Sequence, residues 1–211
     1  MKTLEQIVQS CISSVQGGQF TDESNMYTGK IEEKVHEVRN NFIREKYIQN
    51  NQVHPDWIQR FYPEYDEFMQ EDKCVTTFEC PRFVDLGTRD GLIYVGSSDY
   101  PQSFGRAYNI GDLSTMMSHP IYNRERITVL YENGRIYIYS KQRIISPMVS
   151  GVFARPTDLK SYNKFYDNYP LDPHTCMLVE NAVVQVNLMN EIRTPVDDTS
   201  DSSTPSLTAG K

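Results

Sequence analysis

Carboxylates close to aromatic rings are the residues of this sequence best suited to chemistry. Seven acids lie among tyrosines and phenylalanines: Glu64, Asp66, Glu67, Glu71, Asp72, Asp85 and Asp90. Hydrolysis of a glycosidic bond needs two carboxyl groups held about 5–10 Å apart, and aromatic rings stack on sugars. The spacing brings no particular two of these acids together, and a solvated acidic surface is far commoner. A hydrolase with paired carboxylates is therefore an alternative, and we expect the chain not to be an enzyme.

The histidines and cysteines lack the spacing of a metal or nucleophile site. The histidines are His36, His54, His119 and His174, and no His-x-x-x-His, Gly-x-Ser-x-Gly or Walker pattern occurs. His36 and Glu37 fall on the charged side of a predicted helix, which indicates a solvated pair. Cys74 and Cys80 have five residues between them, which fits no zinc knuckle. We expect four free, buried or half-buried thiols and no cofactor or metal.

Charge and hydropathy exclude several classes of protein. The chain has 21 Lys and Arg against 28 Asp and Glu, a formal net charge of −7. A sequence-independent nucleic-acid binder needs a basic surface, which this balance does not favour, whereas an acidic channel lets DNA slide through. No apolar stretch approaches the roughly 20 residues that span a bilayer, and no signal peptide is evident. We expect no membrane association. We also expect the protein to mature in a reducing cytoplasm.

Hydrophobic periodicity predicts three amphipathic helices. The first covers 3–15, where Thr3 and Gln6 have the spacing of a capping box. The second covers about 28–50, with one apolar stripe between charged faces. That stripe consists of Ile31, Val35, Val38 and Phe42. The third begins after Asp172, an N-cap followed by proline, and ends before Pro195.

A period of two replaces the helical period from about residue 74. The clearest signal is a hairpin whose strands flank Asn133-Gly134, the dipeptide of a type I′ turn. Its second strand places Ile136 and Ile138 on one face, and we expect Tyr137 and Tyr139 to form a tyrosine surface on the other. The 14 tyrosines of the chain fit either subunit interfaces or strands. For 55–72 we expect one short helix and then a loop, and for 157–171 a surface loop.

Together these elements predict an α+β fold. It consists of a bundle of three to four helices, formed by an N-terminal pair and a C-terminal helix, with a β-rich antiparallel insertion and an extended C-terminal tail. The expected divisions are an N-terminal helical part (1–72), the insertion (73–157), a loop with the C-terminal helix (158–193) and the polar tail (194–211).

Six strings in chain order carry a resemblance to a known family. They are VRNNFIREKY (38–47), RDGLIYVGSSD (89–99), ENGRIYIYS (132–140), VSGVFARPTDL (149–159), NYPLDPHT (168–175) and RTPVDDTSD (193–201). With them, most of the chain resembles the head-to-tail connector, or adaptor ring, proteins of crAss-like tailed bacteriophages. The strings are structural and contain no catalytic signature.

The resemblance implies a structural virion protein. Such adaptors pair a helical bundle with a β-rich insertion and form rings of twelve identical subunits beneath the portal protein. The ring extends the DNA channel towards the tail, contacts further tail or ring proteins, and lets DNA pass through its lumen without sequence-specific binding. The expected location is the head–tail connector of the virion, after synthesis in the cytoplasm of the bacterial host. The alternative is a tail accessory or carbohydrate-binding virion module.

Two groups of residues are candidates for contacts in such a ring. A closed ring uses a heterologous interface, in which each subunit presents two different faces. The candidate ring-interface residues are Arg39, Arg44, Tyr137 and Tyr139. The C-terminal tail is typical of a segment that gains order on binding, and we expect it to dock on the portal or on a neighbouring subunit. Its candidate docking residues are Pro195, Val196, Asp197, Asp198, Asp201 and Leu207.

Overall fold

The fold consists of helices and sheets, and the sequence pattern predicts some of these elements but not all of them. A computed structural model describes residues 1–15, 24–70, 72–99, 103–119 and 127–193. Its elements are α1 (Leu4–Val15), α2 (Ser24–Asn50), β1 (Gln59–Phe61), β2 (Asp66–Gln70), β3 (Lys73–Glu79), β4 (Leu92–Ser97), β5 (Phe104–Ala107), α3 (Ile110–Ser118), β6 (Ile127–Glu132), β7 (Arg135–Ser140), β8 (Pro147–Gly151) and α4 (Pro173–Arg193). The predicted α+β class is confirmed. The candidate docking residues of the tail, at 194–211, lie outside the described residues.

Local hydrogen bonds fix the predicted starts of α1 and α4. The backbone N–H of Thr3 donates to Gln6 Oε1 at 3.0 Å, and the N–H of Gln6 donates to Thr3 Oγ1 at 3.3 Å. This reciprocal pair is the predicted capping box. At α4, the N–H of Thr175 donates to Asp172 Oδ1 at 2.9 Å, and Pro173 begins the helix. Both predictions are confirmed.

The helices α1, α2 and α4 contact one another around one apolar core. On α2 one row of buried positions recurs every four residues, at Ile31, Val35, Arg39, Ile43 and Tyr47, and His36 is buried beside it. Two members of the predicted stripe, Val38 and Phe42, are only half-buried at its side. The buried row therefore has a regular spacing of four residues instead of the predicted alternation of four and three. It also contains a charged residue, Arg39.

Two sheets share a second core. The three-stranded sheet has the order β1-β8-β4 and the five-stranded sheet the order β2-β3-β7-β6-β5. All pairs are antiparallel except β5 and β6, which run parallel with Phe104 opposite Ile127. The prediction of a purely antiparallel insertion is wrong at this pair. A parallel pair needs a crossover connection, and the segment between these strands includes α3, a helix that the sequence analysis missed.

Strands also replace the loop expected in residues 55–72. A single 3₁₀ turn at Pro55–Trp57 is followed by β1 and β2, so the prediction of a helix and loop is wrong for most of this segment. The strand β1 pairs with β8, with Gln59 opposite Gly151. That partner lies far along the chain, which explains why the local pattern did not predict the strand.

The predicted hairpin is present with the expected turn. Asn133 and Gly134 have φ angles of 52° and 76°, the left-handed conformations of a type I′ turn. Ile136 and Ile138 are buried in the second core. The aliphatic face of the hairpin is therefore confirmed.

The close approach at the end of β8 predicts opposite effects for two glycine substitutions. A Cβ at Gly151 would lie 2.7 Å from Phe83 Cε1 and 2.8 Å from the Gly91 carbonyl oxygen. We expect Gly151→Ala to lower the free energy of unfolding by about 1–3 kcal/mol, because two packed neighbours must move. Gly29, in α2, has nothing within 4 Å of such a Cβ, so Gly29→Ala is expected to raise it by roughly 0.5–1 kcal/mol. Chemical denaturation measures both free energies. An unchanged free energy of unfolding in Gly151→Ala would contradict the close packing of Gly151 against Phe83 and Gly91.

Candidate interaction surfaces

Arg39 is buried inside the subunit. Its guanidinium Nη1 donates to the carbonyl oxygen of Phe153 at 2.9 Å and to Asn40 Oδ1 at 3.1 Å, and its Nε donates to the Pro170 carbonyl oxygen at 3.4 Å. The guanidinium also lies 5.4 Å from the ring centroid of Tyr169. A side chain with 0% exposure cannot contact a neighbouring subunit, so the assignment of Arg39 to the ring interface is wrong. Arg39 instead joins α2 to the segment that follows β8 and to the end of the 160–171 loop.

His36 and Tyr169 extend this buried polar cluster. His36 Nδ1 lies 2.8 Å from the Tyr169 hydroxyl oxygen, and both residues are buried. The prediction of a solvated histidine is wrong, because α2 is covered here by the loop that carries Tyr169. Burial, followed by the positive charges of Arg39, Arg155 and Lys164, lowers the pKa of His36 to about 4.

Arg44 lies at the surface, as the sequence predicts. Its Nη1 is 4.0 Å from Asp85 Oδ2, a long ion pair between exposed groups, and it lines a groove between α2 and the segments 82–85 and 154–158. Arg155 spans the same groove to Glu33 at 3.1 Å. The position of Arg44 at a ring interface stays a prediction.

The predicted tyrosine surface of the hairpin is partly covered. Tyr137 and Tyr139 are half-buried and pack in a small cluster with Leu130 and with Leu113 of α3. Burial raises the pKa of Tyr139. The predicted tyrosine face is therefore only partly exposed, because α3 packs beside it. A contact of these two rings with a neighbouring subunit stays a prediction.

The acids singled out by the sequence are dispersed over several elements. Glu64 and Asp66 line one groove together with Tyr62 and Tyr65. Glu67 pairs with Arg143 at 2.6 Å, and Asp90 forms a two-point ion pair with Arg106. Asp85 lies at the other groove, and Glu71 lies outside the described residues. In the part of the chain that is described, no cluster of His, Cys, Asp and Glu is arranged to hold a metal ion.

The four cysteines are free thiols, as predicted. Cys11, Cys80 and Cys176 are buried and Cys74 is half-buried. Burial raises the pKa of Cys11 to about 12 and that of Cys176 to about 11. These thiols stay protonated at neutral pH, which makes them poor nucleophiles and metal ligands.

The sequence analysis missed the exposed apolar residues at the two edges of the five-stranded sheet. Phe68 and Met69 are exposed on β2, and Tyr108 and Ile110 are exposed where β5 leads into α3. A usable signal existed for the first site. Two consecutive apolar residues in a strand point to opposite faces, so a strand with a single buried face must expose one of them.

Comparison with known protein families decides what kind of protein these surfaces belong to. A family model described as phage tail ring protein 2 matches residues 6–205. The chain belongs to this family. The predicted resemblance to ring proteins of crAss-like phages is thereby confirmed. None of the curated proteins matches the chain.

Membership of the ring family indicates a structural subunit of an oligomeric ring in a phage tail. The virion tail is accordingly the indicated location. Among the described helices of this ring protein, none has the length and apolar character needed to cross a membrane.

The buried arginine predicts a large loss of stability on its removal. In Arg39→Met, the carbonyl oxygens of Phe153 and Pro170 lose a buried donor. Each unsatisfied group costs about 1–3 kcal/mol, so we expect the free energy of unfolding to fall by about 2–4 kcal/mol. Arg44→Met, on the same helix but exposed, is the matched control and should change it by about 0.5 kcal/mol or less. Equal effects of the two substitutions in chemical denaturation would contradict the assignment of Arg39.

The depressed pKa of His36 predicts a loss of stability in mild acid. The unfolded chain takes up a proton near the ordinary value of 6.5, whereas the folded chain does so only near 4. The contribution of neutral His36 to the free energy of unfolding is therefore fully present above pH 6.5. It decreases as the pH falls towards 4, by at most about 3 kcal/mol at 1.4 kcal/mol per pH unit. His36→Gln should flatten this part of the profile in denaturation experiments, and His174→Gln, at an exposed position, is the matched control. A profile unchanged by His36→Gln would exclude the histidine as its cause.

Proposed function

We propose that this ring protein is the head-to-tail connector subunit, which binds the portal vertex as a dodecamer and extends the DNA channel towards the tail. The observation that carries the proposal is the match of the tail-ring family model to residues 6–205, nearly the whole chain. The indicated ring role requires two different faces on each subunit. The proposal adds the portal as partner, twelve copies and a lumen through which DNA passes.

The charge and the internal packing support a passive structural role. A net charge of −7 favours a lumen through which DNA passes without adhering. The buried contacts of Arg39 join α2 to the segment that follows β8 and to the 160–171 loop, which favours a subunit with fixed surfaces. Two of the acids considered for catalysis, Glu67 and Asp90, are engaged in ion pairs with arginine. We therefore propose that the subunit has no enzymatic activity.

The polar tail is proposed as the anchor to the portal or to an adjacent subunit. It follows α4, whose last residue is Arg193, and its composition is rich in Ser, Thr and Asp. Such segments bind by gaining order on a partner. The proposed contacts are Pro195, Val196, Asp197, Asp198, Asp201 and Leu207.

Native mass spectrometry of the purified protein, alone and with its portal protein, tests the connector role. We expect a stoichiometric ring that binds the portal, because a connector must assemble on that vertex. A protein that stays monomeric and ignores the portal would contradict the proposal.

A second experiment isolates the tail. Truncation after Arg193 is expected to weaken portal binding at least tenfold, because the anchor is removed. In the full chain, replacing Asp197, Asp198 and Asp201 with asparagine should weaken it less, and Ser202→Ala with Ser203→Ala is the neutral control. Unchanged affinity of the truncated protein, measured by calorimetry, would exclude the tail as anchor while leaving the connector role open to the first test.

One groove favours a second candidate, the binding of carbohydrate by a tail accessory module. Exposed Tyr62 and Tyr65 line it beside Glu64 and Asp66, a combination that suits stacking and hydrogen bonding to a sugar. A glycan array distinguishes the candidates. Glycan binding that is lost in the double variant Tyr62→Ala with Tyr65→Ala would favour this second function. A protein that assembles into rings and binds no glycan would favour the connector.

A further inference from the structure

The strand β2 forms one edge of the five-stranded sheet. It pairs with β3 from Asp66 opposite Thr77 to Gln70 opposite Lys73, and no strand in the described ranges pairs with its other side. Phe68 is 47% exposed and Met69 is 68% exposed. An exposed apolar edge strand is a site where another chain binds.

Each face of this edge presents one exposed apolar side chain. Phe68 lies opposite Val75, which in turn lies opposite Tyr139, so these side chains share one face of the sheet. Met69 lies opposite Cys74 on the other face. Val75 is buried, whereas Phe68 one strand further out is not. The exposure therefore comes from the position at the edge, and a partner that approaches the edge would cover both side chains.

The opposite edge of the same sheet carries the second exposed apolar site. Phe104, at the start of β5, packs edge-on against Tyr94 at a centroid distance of 6.1 Å. Beyond the end of the strand, Tyr108 is 67% exposed and Ile110 is 65% exposed. The Arg106 guanidinium lies 5.1 Å from the ring centroid of Tyr108 and helps to fix its position. The exposed site is thus the end of β5 together with the first turn of α3.

Four strand spacings separate the two edges, roughly 19 Å at about 4.8 Å each. The sites therefore lie on opposite sides of the sheet and are chemically different. One is a flat strand edge with Phe68 and Met69, and the other is a projecting corner with Tyr108 and Ile110. A head-to-tail ring needs this arrangement, since neighbouring copies in a ring of twelve are turned by only about 30°.

We propose that the ring closes by contact of the β2 edge (Phe68 and Met69) of one copy with the β5–α3 corner (Tyr108 and Ile110) of the next copy. The inference rests on the ring assembly of the proposed function and adds the two surfaces that make it. A second copy is the occupant because membership of the ring family places an identical chain on each side of every subunit. Tyr, Phe and Met are also enriched in the cores of interfaces between proteins.

A complementation experiment tests the contact. Phe68→Asp removes one face and Ile110→Asp the other, and each position is exposed, so folding is expected to persist. By native mass spectrometry, with and without the portal protein, each variant alone should fail to form the ring. An equimolar mixture should give one heterodimer, because the intact corner of Phe68→Asp fits the intact edge of Ile110→Asp and no further copy can add. Met177→Asp, at an exposed position of α4, is the matched control and should form rings as the unmodified protein does.

The outcomes separate the inference from the proposed function. Rings of normal size from either variant, or no heterodimer in the mixture, would overturn the inference while the connector role stands. An unmodified protein that forms no ring even with the portal would overturn both. If a circular dichroism melt shows that either aspartate variant is unfolded, Met69→Ser and Tyr108→Ser replace the pair, with the same expected heterodimer and the same contrary results.

Discussion

The buried guanidinium of Arg39 is the interaction on which the arrangement of the subunit depends. Its two carbonyl partners, Phe153 and Pro170, lie 114 and 131 residues away along the chain. Breaking a buried charged contact is strongly unfavourable, because the charge is left without compensation. The helix α2, the segment that follows β8 and the 160–171 loop therefore hold one relative position, and the hydrogen bond between His36 and Tyr169 reinforces it.

The two sheets are joined by aromatic packing. Phe83, which stacks on Phe153 at a centroid distance of 5.0 Å, packs edge-on against Tyr131 of β6 at 5.3 Å. Tyr94 of β4 meets Phe104 of β5 edge-on at 6.1 Å. The same Phe153 supplies the carbonyl oxygen that Arg39 binds. One residue thus belongs to both cores, through its backbone for the helical core and through its ring for the sheet core. This connection explains how a chain with two cores presents fixed surfaces to the neighbours in a ring.

The helix α3 decides which part of the five-stranded sheet is available to a partner. It packs against β5 and β6 on the side of the sheet that carries Tyr137 and Tyr139, and both rings are half-buried there. At the two edges of the sheet, exposed apolar side chains remain at Phe68 and, beyond β5, at Ile110. We therefore expect this ring protein to contact its neighbours through these edges.

The sequence by itself determined the elements whose partners lie within a few residues. The capping box of Thr3 and the Asn133-Gly134 turn follow from such short-range geometry, and the α+β class and the ring family follow from the order of these elements and strings. Only the tertiary structure decided the position of Arg39 inside the subunit, the parallel pairing of β5 with β6, and the exposure of Phe68. The first two depend on segments distant in the chain, and the third depends on β2 being the last strand of its sheet. Burial and strand pairing depend on which segments come into contact in the folded chain. The local periodicity of a sequence does not indicate those contacts.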